Sequence, residues 1–516
     1  MALVVCGRIV PMANDPTVAP DESAAFRGRV WIGDDGLVTA VSRGRAAGPA
    51  GFPDAPVVEV GDDLVLPGLI DLHNHLAYNT LPLWEAEGRS SPFPHHDSWP
   101  GHKSYAPSIT WPAYALITAA PQALLAYVET KAIVGGTTTI QGSPPKNRPR
   151  DGWLVRNVED EKFDTRNPDL VYASTLTLDS STLAARATAM RTRNALFIYH
   201  CSEGQRGSLV AREFRAAAQA GCLQGHFVAV HCNAIDPAMF ASWRQPGAVV
   251  WSPLSNFWLY GQTTDVPAAR DAGVTVCLGS DWTPSGSRNV LGELKAARVV
   301  ADAAGWGLSD ADLVRMVTCN PGDVLARGWP RQVGRLQPGA VADLTVVSAS
   351  RRADPFSTLV RATEKDVRLV VVDGQARYGT QQLMSSAKAG ETTTVQVAGE
   401  SRRLALRRSD EPAVPWAWEE VVERLEAVRA DPKSEIERAR SRIAASASAF
   451  GDVGAPLRLA LDMPTGLAPV GGLPKDLGVI RIPSLDPLDQ DGAWARSLHG
   501  RAFHGGVLDP LVEFYR

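Results

Sequence analysis

Apolar strands alternate with helical segments through the middle of this chain, between Pro67 and Pro330. Such alternation is typical of βαβ units, which build a parallel sheet. The span of about 260 residues is close to the ~250 of a closed barrel. We therefore predict an α/β fold with a (β/α)8 TIM-type barrel, whose eighth strand lies unrecognised between Ser143 and Ala195. The seven strands that the pattern indicates are residues 66–75, 136–141, 170–178, 195–200, 227–232, 248–252 and 274–280.

Shorter strands flank this central region on both sides. The N-terminal flank has a hairpin signal at Asp35-Gly36, and the downstream flank again shows short strands between Gly and Pro turns. Because the first set is too small to stand alone, we predict that the two flanks form one small β-sandwich. The predicted domains are 1–66 (first half of the sandwich), 67–329 (barrel), 330–380 (second half) and 381–516 (C-terminal α+β extension).

The extension shows helical spacing of apolar residues over 416–430, with Asp431-Pro432 as the break before a second helix over 434–447. It has no catalytic pattern of its own. We expect it to pack on the barrel or on a neighbouring subunit, and we expect the protein to be a homo-oligomer.

Composition narrows the range of partners. The net charge is −4 and no run of Lys or Arg stands out, which argues against nucleic acid and anionic membranes as partners. No apolar run approaches the ~20 residues of a membrane helix. The first residues read as a strand without a basic leader, and the six cysteines are scattered without a CxxC. We therefore predict a cytoplasmic protein with free thiols that acts on a small molecule.

Two histidines, His73 and His75, end the first strand of the central region. In an extended strand, side chains two residues apart point to the same face, so both imidazoles face one side. Two imidazoles on one face make half of a metal site. The C-terminal ends of the strands are also where α/β barrels hold their catalytic groups.

Further polar residues follow at later strand ends. His200 ends one strand and Glu203 follows it, His231 ends the next strand, and Asp281 ends the last one. A lone buried histidine is more often structural than a ligand, but suitable residues at one strand end after another indicate a metal-dependent active site. The four other histidines of this region, which are not assigned to the site, are His95, His96, His102 and His226.

A long loop from Leu76 to Pro112 follows the histidine pair and is rich in aromatic residues. Two interpretations are open. The loop is a lid that gives the substrate pocket aromatic walls, or it packs a small core of its own. Trp84 and Trp282 are the side chains that we predict to contact the substrate.

Several motifs together identify the chain as similar to a known family. They are Pro67-Gly-Leu-Ile-Asp-Leu-His-Asn-His75, His200-Cys-Ser-Glu203, Val230-His-Cys232, Ser252-Pro-Leu-Ser-Asn256, Asp271-Ala-Gly-Val-Thr-Val-Cys-Leu-Gly-Ser-Asp281, Leu291-Gly-Glu293, Thr318-Cys-Asn-Pro321 and Gly334-Arg-Leu-Gln-Pro-Gly-Ala-Val-Ala-Asp343. With these motifs, residues 1–380 resemble the amidohydrolase superfamily, in its branch of cytosine/guanine deaminase-like and triazine-hydrolase-like enzymes.

The resemblance implies the barrel, the split sandwich and a mononuclear site with His73, His75, His200 and Asp281 as metal ligands. Members with two metal ions carry a bridging lysine on a middle strand, and residues 170–178 contain none. One divalent ion per chain is therefore expected. The aromatic loop and the extension exceed the usual outline of the family.

The expected chemistry follows from the groups. Three imidazoles and one carboxylate suit Zn²⁺, with Fe²⁺ or Mn²⁺ as alternatives, and such a metal activates a water molecule for attack. We assign Glu203 as the proton shuttle, His231 as the group that polarises the substrate, and Asp281 as both ligand and base.

An acid at Glu203 favours an amine as the leaving group. We predict a metal-dependent hydrolase of a non-peptide C–N bond, which deaminates an aminated heterocycle or hydrolyses an amide or cyclic amide. One alternative is displacement of another leaving group from a ring, which predicts activity without Glu203. The other is a catalytically silent binding or assembly protein.

Overall fold

The computed structural model describes residues 2–19, 21, 25–44, 46, 48–142, 154–159, 170–175, 177–406, 417–450, 480–498 and 506–515. Its strands are β1 (Leu3–Ile9), β2 (Phe26–Ile32), β3 (Val38–Arg43), β4 (Val57–Pro67), β5 (Leu69–Asp71), β6 (Thr137–Ile140), β7 (Arg156–Asn157), β8 (Val171–Ser174), β9 (Leu196–Cys201), β10 (Phe227–His231), β11 (Ala248–Trp251), β12 (Thr275–Leu278), β13 (Leu344–Val347), β14 (Val367–Val372), β15 (Gln375–Gly379), β16 (Thr393–Val397) and β17 (Glu400–Leu404).

The helices connect these strands and cover them. They are α1 (Trp111–Ala119), α2 (Pro121–Val134), α3 (Ser180–Arg193), α4 (Arg212–Gln219), α5 (Pro253–Tyr260), α6 (Val266–Asp271), α7 (Val290–Ala303), α8 (Asp310–Arg315), α9 (Cys319–Leu325), α10 (Pro355–Arg361), α11 (Gln381–Ser386), α12 (Trp418–Ala430), α13 (Pro432–Phe450), α14 (Gly492–Leu498) and α15 (Pro510–Phe514). Within the described ranges, none of the helices combines the length and the apolar character needed to cross a membrane.

The central region forms two parallel sheets, as the alternation predicts. One sheet contains β5, β6 and β7 in that order, and the other contains β8 to β12. A parallel bridge between Asn74 and Asp281 links the segments that follow β5 and β12. The strand missing from the sequence pattern is β7, which is only two residues long and lies in the expected interval. The α/β class with parallel strands is therefore confirmed.

The first central strand is shorter than its apolar run indicates. The run from Leu66 is divided between the end of β4 and the short β5, which ends at Asp71. His73 and His75 therefore lie in the turn after the strand and not within it. Their convergence depends on this turn and on its bridge to Asp281.

Successive side chains in the parallel strands face two different hydrophobic clusters. In β10, Val228 and Val230 lie in one cluster, whereas Phe227 and Ala229 lie in a larger cluster that includes residues of α1, α2 and α7. This period of two, with both faces buried, is what a parallel strand covered by helices requires. Because the strands are parallel, the residue that follows each strand lies at the C-terminal edge of the sheet.

The flanking strands join in one nine-stranded sheet, in the order β16-β17-β15-β14-β13-β4-β1-β2-β3. The two flanks meet where β4 and β13 pair antiparallel, with Leu344 opposite Pro67. The predicted pairing of the flanks is thus confirmed. The described residues show a single sheet, to which the extension adds β16 and β17, so the sandwich and the domain boundaries stay predictions.

The extension packs on the central region of its own chain. Its helices α12 and α13 contact α2 and α1, and the ring of Trp418 stacks on that of Tyr127 with 5.9 Å between centroids. Both helices were indicated by the sequence, although Trp416, where the first was expected to begin, lies outside the described residues. All six cysteines are buried and free. The homo-oligomer and the cytoplasmic location stay predictions.

A buried arginine joins the central region to the flanking sheet. The Arg156 guanidinium, on β7, donates hydrogen bonds to the carboxylates of Asp343 and Asp373. Replacing Arg156 by Met should destabilise the protein by about 3–5 kcal/mol, because Asp343 would remain buried without its cation. Arg270→Met removes a half-exposed pair with Asp312 and should cost under about 1 kcal/mol. Thermal unfolding of both variants tests this, and equal shifts in Tm would contradict the role of Arg156.

Candidate metal centre

Three imidazoles converge at the C-terminal edge of the parallel strands. The Nε2 atom of His73 lies 3.2 Å from Nε2 of His75 and 2.9 Å from Nε2 of His200, and the last two atoms are 3.2 Å apart. The Asp281 Oδ1 atom lies 3.3 Å from His73 Nε2 and 3.4 Å from His75 Nε2. The structure thus brings together all four residues that the sequence predicts as ligands.

This arrangement fits a divalent cation. Nitrogen lone pairs aimed at one point repel each other unless a cation or a proton lies between them. His200 Nδ1 donates a hydrogen bond to the carbonyl oxygen of Ser174 at 3.1 Å, which leaves Nε2 unprotonated in the neutral ring. His73 Nδ1 is hydrogen-bonded to Ser252 Oγ at 2.9 Å. Such partners of the second ring nitrogen fix the orientation of metal-binding histidines.

Burial keeps the imidazoles in the neutral form that binds metal. Burial, followed by the neighbouring imidazoles, lowers the pKa of His73 and His75 well below the usual value. For His200, burial and the adjacent His231 lower the pKa to about 3. Burial also raises the pKa of Asp281, and the nearby Glu203 carboxylate adds to this effect. A cation held among these groups would offset the cost of the buried Asp281 carboxylate.

The backbone at the centre is strained where the functional residues leave their strands. Four non-glycine residues there have left-handed φ angles: Ser202 (57°), His231 (69°), Cys232 (54°) and Asp281 (61°). Such angles are uncommon for residues with a Cβ and cluster at functional sites. Here they turn the chain sharply at the ends of β9 and β10 and beyond β12. The bonds from Asp281 N to His73 O and from His75 N to Asp281 O hold one of these turns in place.

His231 points an N–H group into the centre. Asn256 Nδ2 donates a hydrogen bond to His231 Nδ1 at 2.9 Å, while Asn256 Oδ1 accepts one from Thr263. The proton of the neutral ring is therefore on Nε2, a buried atom that has no hydrogen-bond partner among the described residues. His231 also lies close enough to His73 and His200 to form a second possible ligand set. A protonated Nε2 favours its predicted role as a hydrogen-bond donor to substrate.

Glu203 lies beside the centre, and two residues that were not assigned to the site from the sequence hold it there. Its Oε2 atom is 3.7 Å from His231 Nε2 and 3.6 Å from His96 Nδ1, and its Oε1 atom accepts a hydrogen bond from Tyr260 at 2.6 Å. His96, which the sequence did not indicate as part of the site, lies beside Glu203 because the aromatic loop folds back onto this glutamate. No local pattern indicates this contact, since the two residues are far apart in sequence.

A cavity of about 410 Å³ opens next to the imidazoles of His75 and His200. Its wall includes Tyr78 from the aromatic loop and the polar side chains of Gln141 and Glu159. A volume of this size suits a small-molecule ligand. The predicted ligands and the cavity thus share one edge of the sheet.

Trp84 and Trp282 lie in an aromatic cluster behind the wall of this cavity and do not line it. Trp282 contacts the edge of Tyr78 with 5.4 Å between centroids, and Trp84 stacks on Phe93 at 5.8 Å. Both interpretations of the loop therefore hold in part, because the loop packs a core of its own and also supplies Tyr78 to the cavity. Direct contact of the two tryptophans with substrate stays a prediction.

Comparisons with known proteins agree with this geometry. A model described as "Amidohydrolase family" matches residues 159–378. A 5-methylthioadenosine/S-adenosylhomocysteine deaminase of Symbiobacterium thermophilum is 32% identical over 173 residues, and the match covers 31% of this chain and 39% of that protein. A deaminase of the same name from Desulfitobacterium hafniense is 23% identical over 434 residues, and the match covers 74% of this chain and 94% of that protein.

A solved structure is similar in fold. The crystal structure of an adenosine deaminase from Xanthomonas campestris, with bound zinc, superposes with a TM-score of 0.55 at 18% sequence identity. The match covers 75% of this chain and 97% of that one. Similarity at this level of identity indicates a shared fold.

Proposed function

We propose that this chain, which matches an amidohydrolase family model over residues 159–378, is a metal-dependent hydrolase of a non-peptide C–N bond and deaminates an aminopurine nucleoside of the adenosine type. The proposal includes one zinc ion per chain, held by His73, His75, His200 and Asp281. The observation that carries it is the convergence of three imidazole Nε2 atoms within 3.2 Å of one another beside one carboxylate.

We infer that the eight parallel strands close into a (β/α)8 barrel, in which the bridge between Asn74 and Asp281 joins the first strand to the last. In such a barrel the residues that follow the strands meet at one rim. This accounts for side chains more than 200 residues apart meeting at one point.

A single ion is favoured by the residues available. Three neutral imidazoles and one carboxylate are a suitable donor set for zinc. The strand β8 provides no lysine that could bridge a second ion. Zinc at this position would supply one chemical effect, which is to lower the pKa of a bound water molecule to about 7.

Glu203 moves the proton in the proposed reaction. Its neighbours His231 and His96 outweigh the effect of burial and lower the pKa of Glu203, so the resting group is a carboxylate that can accept a proton. It then returns this proton to the leaving nitrogen, because an amine leaves readily only when protonated. A carboxylate beside the ligands, and not one of them, suits this role.

His231 orients the substrate ring. Its buried Nε2–H makes no hydrogen bond to the described residues, and the nearest carboxylate oxygen, Glu203 Oε2, lies 3.7 Å away. It can therefore donate to a ring nitrogen of the substrate, where negative charge develops during attack. Asn256 keeps this proton on Nε2 through its own bond to Nδ1.

The substrate class rests on the curated relatives, which are named as deaminases of adenosine derivatives. The cavity of about 410 Å³ has room for a nucleoside, and Gln141 and Glu159 offer polar groups to its hydroxyls. The aromatic side chain of Tyr78 forms part of the same wall and suits a flat base.

The test is ammonia release by purified, zinc-loaded protein. Adenosine, 5′-methylthioadenosine and S-adenosylhomocysteine are offered beside guanine and cytosine as competing aminated rings. Turnover of at least one adenosine-type nucleoside, at a kcat/KM at least about tenfold above that for guanine and cytosine, is expected. Ammonia release from guanine or cytosine alone would overturn the proposed substrate class, and no release from any of them would overturn the deaminase.

A further inference from the structure

The aromatic loop is fastened to the segment that carries Glu203 by main-chain hydrogen bonds. Gln205 N donates to Pro94 O at 2.7 Å, and His96 N donates to Glu203 O at 3.2 Å. An antiparallel bridge pairs His95 with Gly204. This part of the loop therefore lies in register along residues 203–205, immediately beside the metal centre.

The register places the His96 ring between two buried carboxylates. Its Nδ1 atom faces Glu203 Oε2 at 3.6 Å, and its Nε2 atom faces Glu213 Oε1 at 3.5 Å. All three side chains are less than 10% exposed. Glu213 is fixed in turn, because it accepts hydrogen bonds from Ser202 N and Thr177 Oγ1.

The charges in this group complement each other. Burial disfavours a charged imidazole, but the carboxylates of Glu203, Glu213 and Asp97 outweigh it and raise the pKa of His96 to about 9. A protonated His96 ring thus lies between two buried carboxylates. Such pairs are stronger than exposed ones because little solvent screens them.

A second residue of the aromatic loop reaches Glu203 through an intermediate. Trp99 Nε1 donates to the hydroxyl oxygen of Tyr260 at 2.9 Å, and that hydroxyl donates to Glu203 Oε1 at 2.6 Å. Tyr260 is the last residue of α5 and is fully buried. Each oxygen of the Glu203 carboxylate therefore has its own partner, and both partners depend on the seated loop.

We propose that His96 and Tyr260 are positioning residues for Glu203, and that the aromatic loop must be seated for the glutamate to transfer a proton. This inference rests on the proposed role of Glu203. It adds that the aromatic loop contributes to the reaction by holding this glutamate in place. A glutamate side chain has three rotatable bonds, so a carboxylate held at only one oxygen swings away from the line between water and leaving group. A misplacement of ~1 Å can cost about 100-fold in rate.

Three variants at one position separate the contacts of the ring. His96→Asn keeps an N–H near the place of Nδ1, facing Glu203, whereas His96→Gln keeps one near the place of Nε2, facing Glu213. His96→Phe fills the space with no donor. We expect His96→Asn to retain kcat within about threefold, and the other two to lose about 10- to 100-fold in kcat with KM changed less than about threefold. His102→Asn, a histidine of the same loop that pairs with Ser104, is the matched control and should leave both constants unchanged.

A double-mutant cycle shows whether His96 acts through Glu203. If it does, His96→Phe costs about 10- to 100-fold in the native background and close to nothing when Glu203→Gln is already present. A role only in folding would give the same loss in both backgrounds. Metal content and thermal unfolding are measured on each protein, so that loss of the fold is recognised separately.

Tyr260→Phe gives an independent measurement at the other oxygen, with an expected loss of about tenfold in kcat that also disappears in the Glu203→Gln background. Full activity of both His96→Phe and Tyr260→Phe would overturn the inference, as would equal losses with and without Glu203. These outcomes require a wild-type enzyme that releases ammonia. Failure of the inference is therefore distinguishable from failure of the proposed function, in which the wild type itself is inactive.

Discussion

Replacing His73 by alanine should remove both the metal and the activity. His73 Nε2 lies within 3.3 Å of a donor atom of His75, His200 and Asp281, and His73 belongs to both sets of residues that could hold an ion. The change therefore removes one member from each of these two sets and leaves His75, His200 and Asp281 as an incomplete ligand set. We expect metal content to fall from about one ion per chain to under about 0.1, because loss of a direct ligand exceeds the 10- to 100-fold effect of losing an outer partner. Elemental analysis and ammonia release measure the two effects.

The matched control is His226→Ala. This histidine lies just before β10, and its Nε2 atom is bonded to the carbonyl oxygen of Arg327 at the far end of the strand from the metal centre. The variant should keep one ion and full activity. Retention of metal and turnover by His73→Ala, with the fold intact, would refute the ligand set.

The predictable part of the site follows from the regular register of parallel strands. Val230 lies opposite His200 and His231 opposite Cys201, so a residue at the end of one strand is necessarily near the residue at the end of the next. The pattern of buried apolar residues marks where each of these strands ends. His200, His231 and Asp281 could therefore be identified from the sequence alone as residues that share one edge of the sheet.

The contacts of Glu203 could not be predicted in the same way. His96 lies in a loop without periodicity, whose path is determined by packing among Trp84, Phe93 and Tyr105 and by bonds to a distant segment. Tyr260 is on α5, where an aromatic residue is ordinarily part of the hydrophobic core. The sequence around His96 and Tyr260 does not indicate a functional role, because their contacts with Glu203 form only when the loop packs against the strand ends.

Very short strands and strained turns also carry no signal in the sequence. β7 has two residues, too few to show a period of two, and the register between distant strands of the nine-stranded sheet, such as β4 and β13, is not specified by a local pattern. The left-handed φ angles of His231 and Asp281 occur at non-glycine residues, for which the sequence offers no warning. Departures of this kind from local preference are expected at functional sites, where the surrounding structure holds the strain.

Glu203→Gln should lower kcat for deamination by about 10²- to 10⁴-fold while leaving metal content unchanged. The amide preserves the volume of the side chain and can still accept the bond from Tyr260, but it cannot carry a proton from water to the leaving nitrogen. Glu391→Gln, an exposed glutamate of the extension, is the matched control and should be silent.

The leaving group then separates the two roles of Glu203. Attack by water requires a base for every substrate, whereas protonation of the leaving group matters for an amine and not for chloride. In a purine nucleoside with chlorine in place of the amino group, the loss in Glu203→Gln should therefore be at least about tenfold smaller than for the amine. Equal losses would assign Glu203 only as a base, and activity near the wild-type level on the amine would contradict its part in proton transfer.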